Sequence, residues 1–468
     1  MRLLLVSTYE LGRQPVHIAS PAAALAAAGV DVVTVDLAVE DWDSSRLDGA
    51  DAVAFSVPMH TAMRLAIPMA RELRRQQPWL PIAFYGLYAG VGQDRVVGDV
   101  ADSVFVGEYE PALVEWATTV GSGTEVKGVS RSRGRTRFHR PERSTLPSHD
   151  DYARLEWMGE ARLAAAVEAS HGCRHRCRHC PIPVVYDGRM RVVGADSVLA
   201  DIDQLASDGI QHVTFGDPDF LNAPRYSMDL LREAHSAHPE LTFDLTVKVE
   251  HILAHRSLWP QMAELGVLFV VSAFESTDDR TLDVLDKNHT EADMSEAVAL
   301  LRSSGIHVRP TWLPFFPWTL PANLAGIVGF IDHHRLWSAT DPVQLAIKLL
   351  IPEGSLLERH PAVVPYLTAY QPESLTWSWR FADQTTERLH GALDSIAAEA
   401  SDCGAEAGAT LLLMRETIGE MTGVEMAAMP SSPPAPRLTE SWFCCAEPTA
   451  GQAAAVGLTI GRVPLASA

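Results

Sequence analysis

The chain has 468 residues, of which 38 are Lys or Arg and 59 are Asp or Glu, giving a formal charge of −21. At roughly 100–200 residues per domain, this length implies several domains with sizeable cores. An apolar share of 47% excludes a disordered chain, and six cysteines are too few for a disulfide scaffold.

The acidic balance disfavours a nucleic-acid partner. No apolar run approaches the roughly 18–20 residues that span a bilayer, so no membrane association is expected. The opening run Leu3–Val6 is too short for a signal-peptide core, which predicts a cytoplasmic protein with reduced thiols.

Residues 1–120 alternate apolar strands with helical stretches. The strands are Leu3–Val6, Val32–Val35, Ala52–Val57, Ile82–Tyr85 and Val104–Val106; Ser20–Gly29 and Ala62–Arg75 are helical. Near-continuous apolar strands between helices predict an α/β fold, here a Rossmann-like doubly wound parallel sheet. Its ligands would sit at the strand ends, which place Ser56, Gly86 and Gly107 among the candidate binding residues. No Gly-x-Gly-x-x-Gly follows the first strand, which argues against a nicotinamide or flavin dinucleotide.

Residues 121–154 form an Arg-rich stretch, with Arg131, Arg133, Arg135, Arg137, Arg140 and Arg143 among Gly, Ser and Pro; a solvated hairpin or linker is expected, with a phosphate or polar-substrate contact as the alternative. Residues 155–362 alternate again. Strands are expected at Ala164–Ala169, His212–Phe215, Phe243–Val249, Leu268–Ser272, His307–Trp312 and Val343–Leu350, with helices such as Ala195–Asp208, Thr281–Leu285 and Asp293–Ser303. Such units fit a partial (β/α)6 barrel, whose chemistry sits at the strand ends. A helical C-terminal extension follows over 363–428, with Thr386–Cys403 and Leu411–Thr422 at helical spacing. Residues 429–468 hold a Pro/Ser spacer, then Cys444 and Cys445 in a small-residue tail.

Directly after the first barrel strand, Cys173, Cys177 and Cys180 are spaced C-x3-C-x2-C. Three thiolates on one loop can hold three irons of a [4Fe–4S] cluster and leave the fourth open to a small molecule. Arg174, Arg176 and Arg178 would offset the negative charge. A Cys3His zinc site using His175 or His179, in a non-enzymatic interaction module, is the alternative.

With these residues the chain resembles the radical SAM superfamily, and more closely its members with an N-terminal cobalamin-binding domain. The resemblance covers residues 1 to about 360. It implies that Cys173, Cys177 and Cys180 ligate the cluster, with His179 at the usually aromatic position that contacts the adenine of S-adenosylmethionine (SAM). It assigns Gly216, Asp217 and Asp219 to the SAM amino group, Glu275 and Ser276 to a Glu-Ser turn, and Arg309 to the SAM carboxylate. Lys287 belongs to a further matching segment.

The resemblance implies a [4Fe–4S] cluster and SAM as cofactors, with cobalamin as a further candidate. The Asp-x-His-x-x-Gly motif that donates a cobalt-ligating histidine is absent, and bulky Leu87 and Tyr88 stand where the family usually has Gly-Gly-x-His. The implied activity is SAM cleavage that starts radical chemistry on a small molecule or peptide. An electron donor such as flavodoxin or ferredoxin would be its partner, and methyl transfer its outcome if cobalamin is bound.

Cys444–Cys445–Ala446–Glu447–Pro448 resembles the tail of the CUAEP/CCAEP-tail radical SAM proteins. Adjacent cysteines seldom pair with each other without strain. Behind the Pro-rich spacer they are expected to form a mobile catalytic thiol arm, or to hold a thiophilic metalloid such as arsenic for transfer of a SAM-derived group. A solvent-exposed tail without catalytic work is the third possibility. Cys403 reads as a plain helix thiol.

Overall fold

A computed structural model describes residues 1–440 and 445–455 of the chain. The first sheet contains β1 (Arg2–Ser7), β2 (Asp31–Asp36), β3 (Ala52–Ser56), β4 (Ile82–Tyr85), β5 (Ser103–Gly107) and β6 (Gly128–Ser132). All its pairings are parallel, in the order β2-β1-β3-β4-β5-β6. Four helices interleave: α1 (Val16–Ala27), α2 (His60–Gln76), α3 (Gln93–Val96) and α4 (Glu110–Gly121). Leu3, Leu4, Leu5 and Val6 are all fully buried, as a central strand covered on both faces requires. The order is that of flavodoxin-like folds, whose ligand crevice opens between β1 and β3.

The Arg-rich stretch is not a free linker. Its Gly128–Ser132 segment closes the sheet as β6, an edge strand that carries Arg131 outward. Arg143, expected in solvent, is buried. Its guanidinium forks onto Asp201 at 2.7 and 2.8 Å and also donates to the Ala166 carbonyl. Satisfied donors are what make that burial tolerable.

The second sheet is a curled half-barrel. It contains β7 (Arg154–Trp157), β8 (Glu160–Val167), β11 (His212–Phe215), β12 (Thr242–Thr246), β13 (Val267–Glu275) and β14 (His307–Trp312), with the short β17 (Arg437–Leu438) beside β7. The strands from β8 to β14 pair in parallel, and β7 and β17 run antiparallel at the edge. Between β8 and β11 lies a hairpin of β9 (Ser170–Gly172) and β10 (Met190–Val192). Helices α5 (Ile182–Tyr186), α6 (Ala195–Ser207), α7 (Pro224–Ala237), α8 (Val249–Ala254), α9 (Trp259–Glu264), α10 (Asp279–Leu285), α11 (Glu291–Ser303) and α12 (Pro321–His334) connect the strands. The start of α11 is set by a capping box of Thr290 and Asp293.

The expected strand Val343–Leu350 does not form. A 3-10 turn occupies Pro342–Leu345, and a single bridge from Lys348 to Phe315 stands at the sixth barrel position. Pro342 and the side-chain acceptance of the Trp312 amide by Gln344 keep this segment from a full ladder.

A hairpin of β15 (Leu367–Gln371) and β16 (Thr376–Trp379) comes next, followed by α13 (Gln384–Cys403), α14 (Ala407–Thr422) and α15 (Ala450–Ala455). Leu389, Leu393, Leu411, Met414 and Ile418 pack α13 and α14 into the barrel core. A second core is continuous from Val6 and Phe55 of the first sheet to Leu285, Phe316 and Ile351, and on to Ala446 and Ala453 of the tail. The two sheets and the tail therefore share buried apolar surface.

The Pro/Ser spacer is strapped onto the barrel. Ser432 Oγ accepts from the Trp337 amide, the Pro433 carbonyl from Ser338, and the Pro436 carbonyl from Arg309. The segment then pairs with β7 as β17. No helix among the described residues is long and apolar enough to cross a membrane.

Candidate active site

The three clustered cysteines lie on the loop that leaves the β9 arm of the hairpin. Gly172 makes that exit possible: its φ is +72°, and a Cβ there would collide with the Arg189 carbonyl across the hairpin. Cys173 and Cys177 are buried and Cys180 is partly exposed. Asn222 donates to Cys173 Sγ at 3.4 Å, and the Cys180 amide donates to the Cys177 carbonyl at 3.2 Å. Arg178 ties the loop to α10 through the Asp283 and Val284 carbonyls. Burial, with the neighbouring Cys177, Cys173 and Cys445 adding to it, pushes the Cys180 thiol well up. Burial also raises Cys173. The protein alone thus disfavours the thiolates, and a cationic group bound to them would reverse that.

The loop forms one wall of a cavity of about 460 Å³, within the range of small-molecule sites. The ends of β11, β12, β13 and β14 form its floor, through Gly216, Asp217, Lys248, Glu275 and Arg309. Leu11, Arg13 and Tyr88 reach it from the first sheet, and Cys445 from the tail.

A polar triad stands beside the cysteines. Glu275 lies 3.0 Å from His179 Nε2 and accepts from Lys287 Nζ at 3.1 Å. Burial opposes its ionisation, yet Lys287 and His179 outweigh that and hold its carboxyl well below the usual carboxylate range. Glu275 has φ +65° at a register shift between β13 and β14. That strained conformation turns its side chain into the site.

The other expected residues divide. Asp217 lines the cavity, but its carboxylate is held by Ser170 Oγ and the Ala169 amide, and burial pushes it up to about 7. Arg309 lines the cavity too, and spends one arm on Asp341 at 2.7 Å. Asp219 turns away from the cavity and caps the following turn through the Leu221 amide. The Ser276 hydroxyl accepts from the Asp278 amide and does not line the cavity.

Ser56, Gly86 and Gly107 do not reach the cavity wall. Ser56 is buried, Gly86 is pressed against the Val57 carbonyl, and a Cβ at Gly107 would strike the Ser132 carbonyl of β6. Both glycines are closely packed against neighbouring backbone. Lys248 and Asp341 were missed. Lys248 follows β12 directly, so the strand-end rule alone would have flagged it.

Cys444 lies outside the described residues. Cys445 reaches the cavity because the segment after it is pinned. Thr61 donates to the Ala446 carbonyl at 2.9 Å, His60 Nε2 is 2.9 Å from Glu447, and Arg64 donates to Glu447 at 2.8 Å. The segment after Cys445 is thus tied to the start of α2, which offers matching donors. Cys403 is exposed at the end of α13, as a plain helix thiol would be.

An acid–base chain links the two sheets behind the site. His17 lies 3.1 Å from Glu10 and 3.5 Å from Glu168, and His171 lies 3.1 Å from Glu108 and 3.3 Å from Glu168. Burial pulls the His17 imidazole down, but Glu168 and Glu10 prevail and raise it to about 9. Burial opposes charge on Glu168 as well, yet His17 and His171 hold it at about 2.

Residues 167–318 match the family model of the radical SAM superfamily, so the chain carries a radical SAM domain. The match starts at the end of β8 and spans the cysteine loop. A hopanoid C-2 methylase of Rhodopseudomonas palustris (strain TIE-1) is 24% identical over 275 residues, 51% of each chain. A tRNA-2-methylthio-N(6)-dimethylallyladenosine synthase of Chlorobium phaeobacteroides (strain BS1) is 25% identical over 169 residues, 34% of this chain and 36% of its own. The matches thus span about half or less of the length of these relatives.

Among solved structures, the cobalamin-dependent SAM radical enzyme OxsB with aqua-cobalamin bound superposes with a TM-score of 0.63 at 12% identity, covering 90% of this chain and 72% of its own. The radical SAM methyltransferase TsrM from Kitasatospora setae, with cobalamin and a [4Fe–4S] cluster bound, gives 0.55 at 19% identity, covering 71% and 70%. At such identities the likeness is one of fold.

Proposed function

We propose that this chain is a radical SAM enzyme in which Cys173, Cys177 and Cys180 hold a [4Fe–4S] cluster and SAM binds in the adjoining cavity. The observation that carries this reading is three thiols on one strand-end loop, opening onto a cavity large enough for a small molecule. The donor set fits: three soft ligands on one loop, and Lys287 beside them to balance charge. When bound, the cluster and SAM supply one-electron chemistry that begins with SAM cleavage.

The chain's own residues then bind, orient and exclude water. Glu275 holds His179 against the cavity, and Lys287 fixes Glu275. Gly216 and Asp217 border the space on the β11 side, and Arg309, held by Asp341 and the Pro436 carbonyl, borders it on the β14 side. The substrate is a small molecule or peptide, with an electron donor such as flavodoxin or ferredoxin as partner.

Methyl transfer is the favoured outcome, because the hopanoid C-2 methylase and the TsrM methyltransferase are named for it. Cobalamin would be held at the strand ends of the first sheet, the ligand side of such folds. In the tail-docked arrangement its seat is taken: Tyr88 is buried against His60, and Ala446 and Glu447 are bonded over the start of α2. A corrin therefore requires these tail residues to withdraw.

Cys445 supports a second element of this reading. It presents a soft nucleophilic sulfur to whatever occupies the cavity, which also keeps the metalloid-transfer alternative in view.

Anaerobic reconstitution with iron, sulfide, SAM and a reductant tests the proposal. About four irons per chain and release of 5′-deoxyadenosine are expected. A fully loaded, reduced protein that leaves SAM intact would overturn it.

A further inference from the structure

Behind the cysteine loop, three polar atoms converge that the chemistry above does not use. Asp219, in the turn after β11, is fully buried. Its Oδ1 accepts from the Leu221 amide at 3.0 Å, which fixes the carboxylate. Its Oδ2 makes no hydrogen bond. His251 Nδ1, on α8, lies 2.9 Å from that oxygen, and His175 Nε2, between Cys173 and Cys177, lies 3.7 Å from it. Both nitrogens are buried and neither makes a hydrogen bond. The three residues offer ligand atoms within 4.8 Å of one another.

Three buried, unsatisfied polar atoms aimed at one point are costly in a folded protein. We propose that His175, Asp219 and His251 form a mononuclear site for a divalent transition metal, zinc in the first place. Two imidazoles and one carboxylate suit a borderline cation better than magnesium or calcium, which prefer all-oxygen shells. At bonds of roughly 2.0–2.2 Å, ligand atoms of a tetrahedral shell stand roughly 3.3–3.6 Å apart. The separations of 2.9 and 3.7 Å bracket that value, so small shifts complete the shell.

An outer partner is also present. Glu250 Oε2 lies 3.6 Å from the other nitrogen of His175 and is itself held by Lys248. A carboxylate behind a ligating histidine orients the ring and raises its basicity.

The site joins the loop of the three cysteines to the ends of β11 and β12. Its role is to brace that loop, since His175 cannot move without Cys173 and Cys177. It does not depend on the radical SAM reading, because its ligands include no thiol.

The test uses the full chain purified anaerobically with zinc supplied, followed by metal analysis of zinc and iron together. One zinc per chain is expected in the unaltered protein. It should persist in the triple variant Cys173→Ala, Cys177→Ala, Cys180→Ala, which loses the iron. It should fall at least tenfold in His251→Ala and Asp219→Asn.

Cobalt in place of zinc gives a readout that needs neither the His251 nor the Asp219 variant. In the triple variant, visible d–d bands without a thiolate-to-cobalt charge-transfer band are expected. Zinc that disappears with the three thiols, zinc unaffected by both His251→Ala and Asp219→Asn, or no bound zinc at all would each overturn the proposal.

Discussion

At the ends of β1, β3 and β4 stand Thr8, His60 and Tyr88, all buried. Beyond the ends of β8 and β11 stand Cys173 and Gly216, and at the end of β13 stands Glu275; all three face a cavity of about 460 Å³. The first sheet is parallel throughout and the second from β8 to β14, and both would bind ligands at these ends by the general rule for such folds. In the first sheet the chain's own groups fill the place, and of these three residues only Tyr88 reaches the cavity. Thr8 donates to the Ala62 carbonyl, Tyr88 packs on His60, and the tail closes over α2 through Ala446 and Glu447. In the second sheet the strand ends stay open and carry soft and charged ligands. The difference teaches that a strand-end crevice is a site only where side chains leave it free.

Replacing any one of Cys173, Cys177 and Cys180 with Ala is the strongest way to break the contrast. Iron binding should fall below four per chain and SAM cleavage should drop to background, read by metal analysis and 5′-deoxyadenosine release. A variant that keeps full cleavage would remove the second sheet's claim to the chemistry.

Lys287→Met comes next. It leaves Glu275 buried with only His179, so a loss of about 3–5 kcal/mol in unfolding free energy is expected from denaturant titration. Glu275→Gln in the same background should recover part of it, since the uncompensated charge is gone.

The acid–base chain between the sheets predicts a pH dependence. His17 is raised from 6.5 to about 9, so its contribution is complete below pH 6.5 and lost as pH rises through 9. Glu168 is lowered from 4.5 to about 2, so its contribution is complete above pH 4.5 and lost as pH falls through 2. The link is therefore strongest between pH 4.5 and 6.5. A Tm that falls by on the order of 3 °C from pH 6.5 to 9, and a flatter profile in His17→Gln, would confirm it.

The smallest effect on stability should come from Glu447→Gln. Glu447 is half-exposed, so the change stays within about 1 kcal/mol. Its value lies in the first sheet: loosening the tail should increase uptake of aqua-cobalamin, followed by its absorption spectrum. Unchanged uptake would show that the tail and a corrin do not compete for the crevice.

Much of this arrangement was legible from residue order. The strands His212–Phe215 and His307–Trp312 stand where their apolar patterns put them. The C-x3-C-x2-C spacing marked the right loop. Val343–Leu350 was misleading, because an apolar run of that length reads as a strand whether or not a partner edge is available. The buried Arg143 was equally hidden, since its partner Asp201 lies 58 residues away.

By itself the sequence determined the local and periodic features: the alternation that makes two parallel sheets, the glycine that turns the chain into the cysteine loop, and the three thiols within one short segment. These depend on neighbours a few residues apart. Only the tertiary structure decided which strand ends remain open. It brought Cys445 from the far end of the chain to Cys180, and it turned Asp219 from the cavity toward His175 and His251. Those outcomes depend on which distant groups compete for the same buried space and the same hydrogen-bond partners, and no local pattern records that competition.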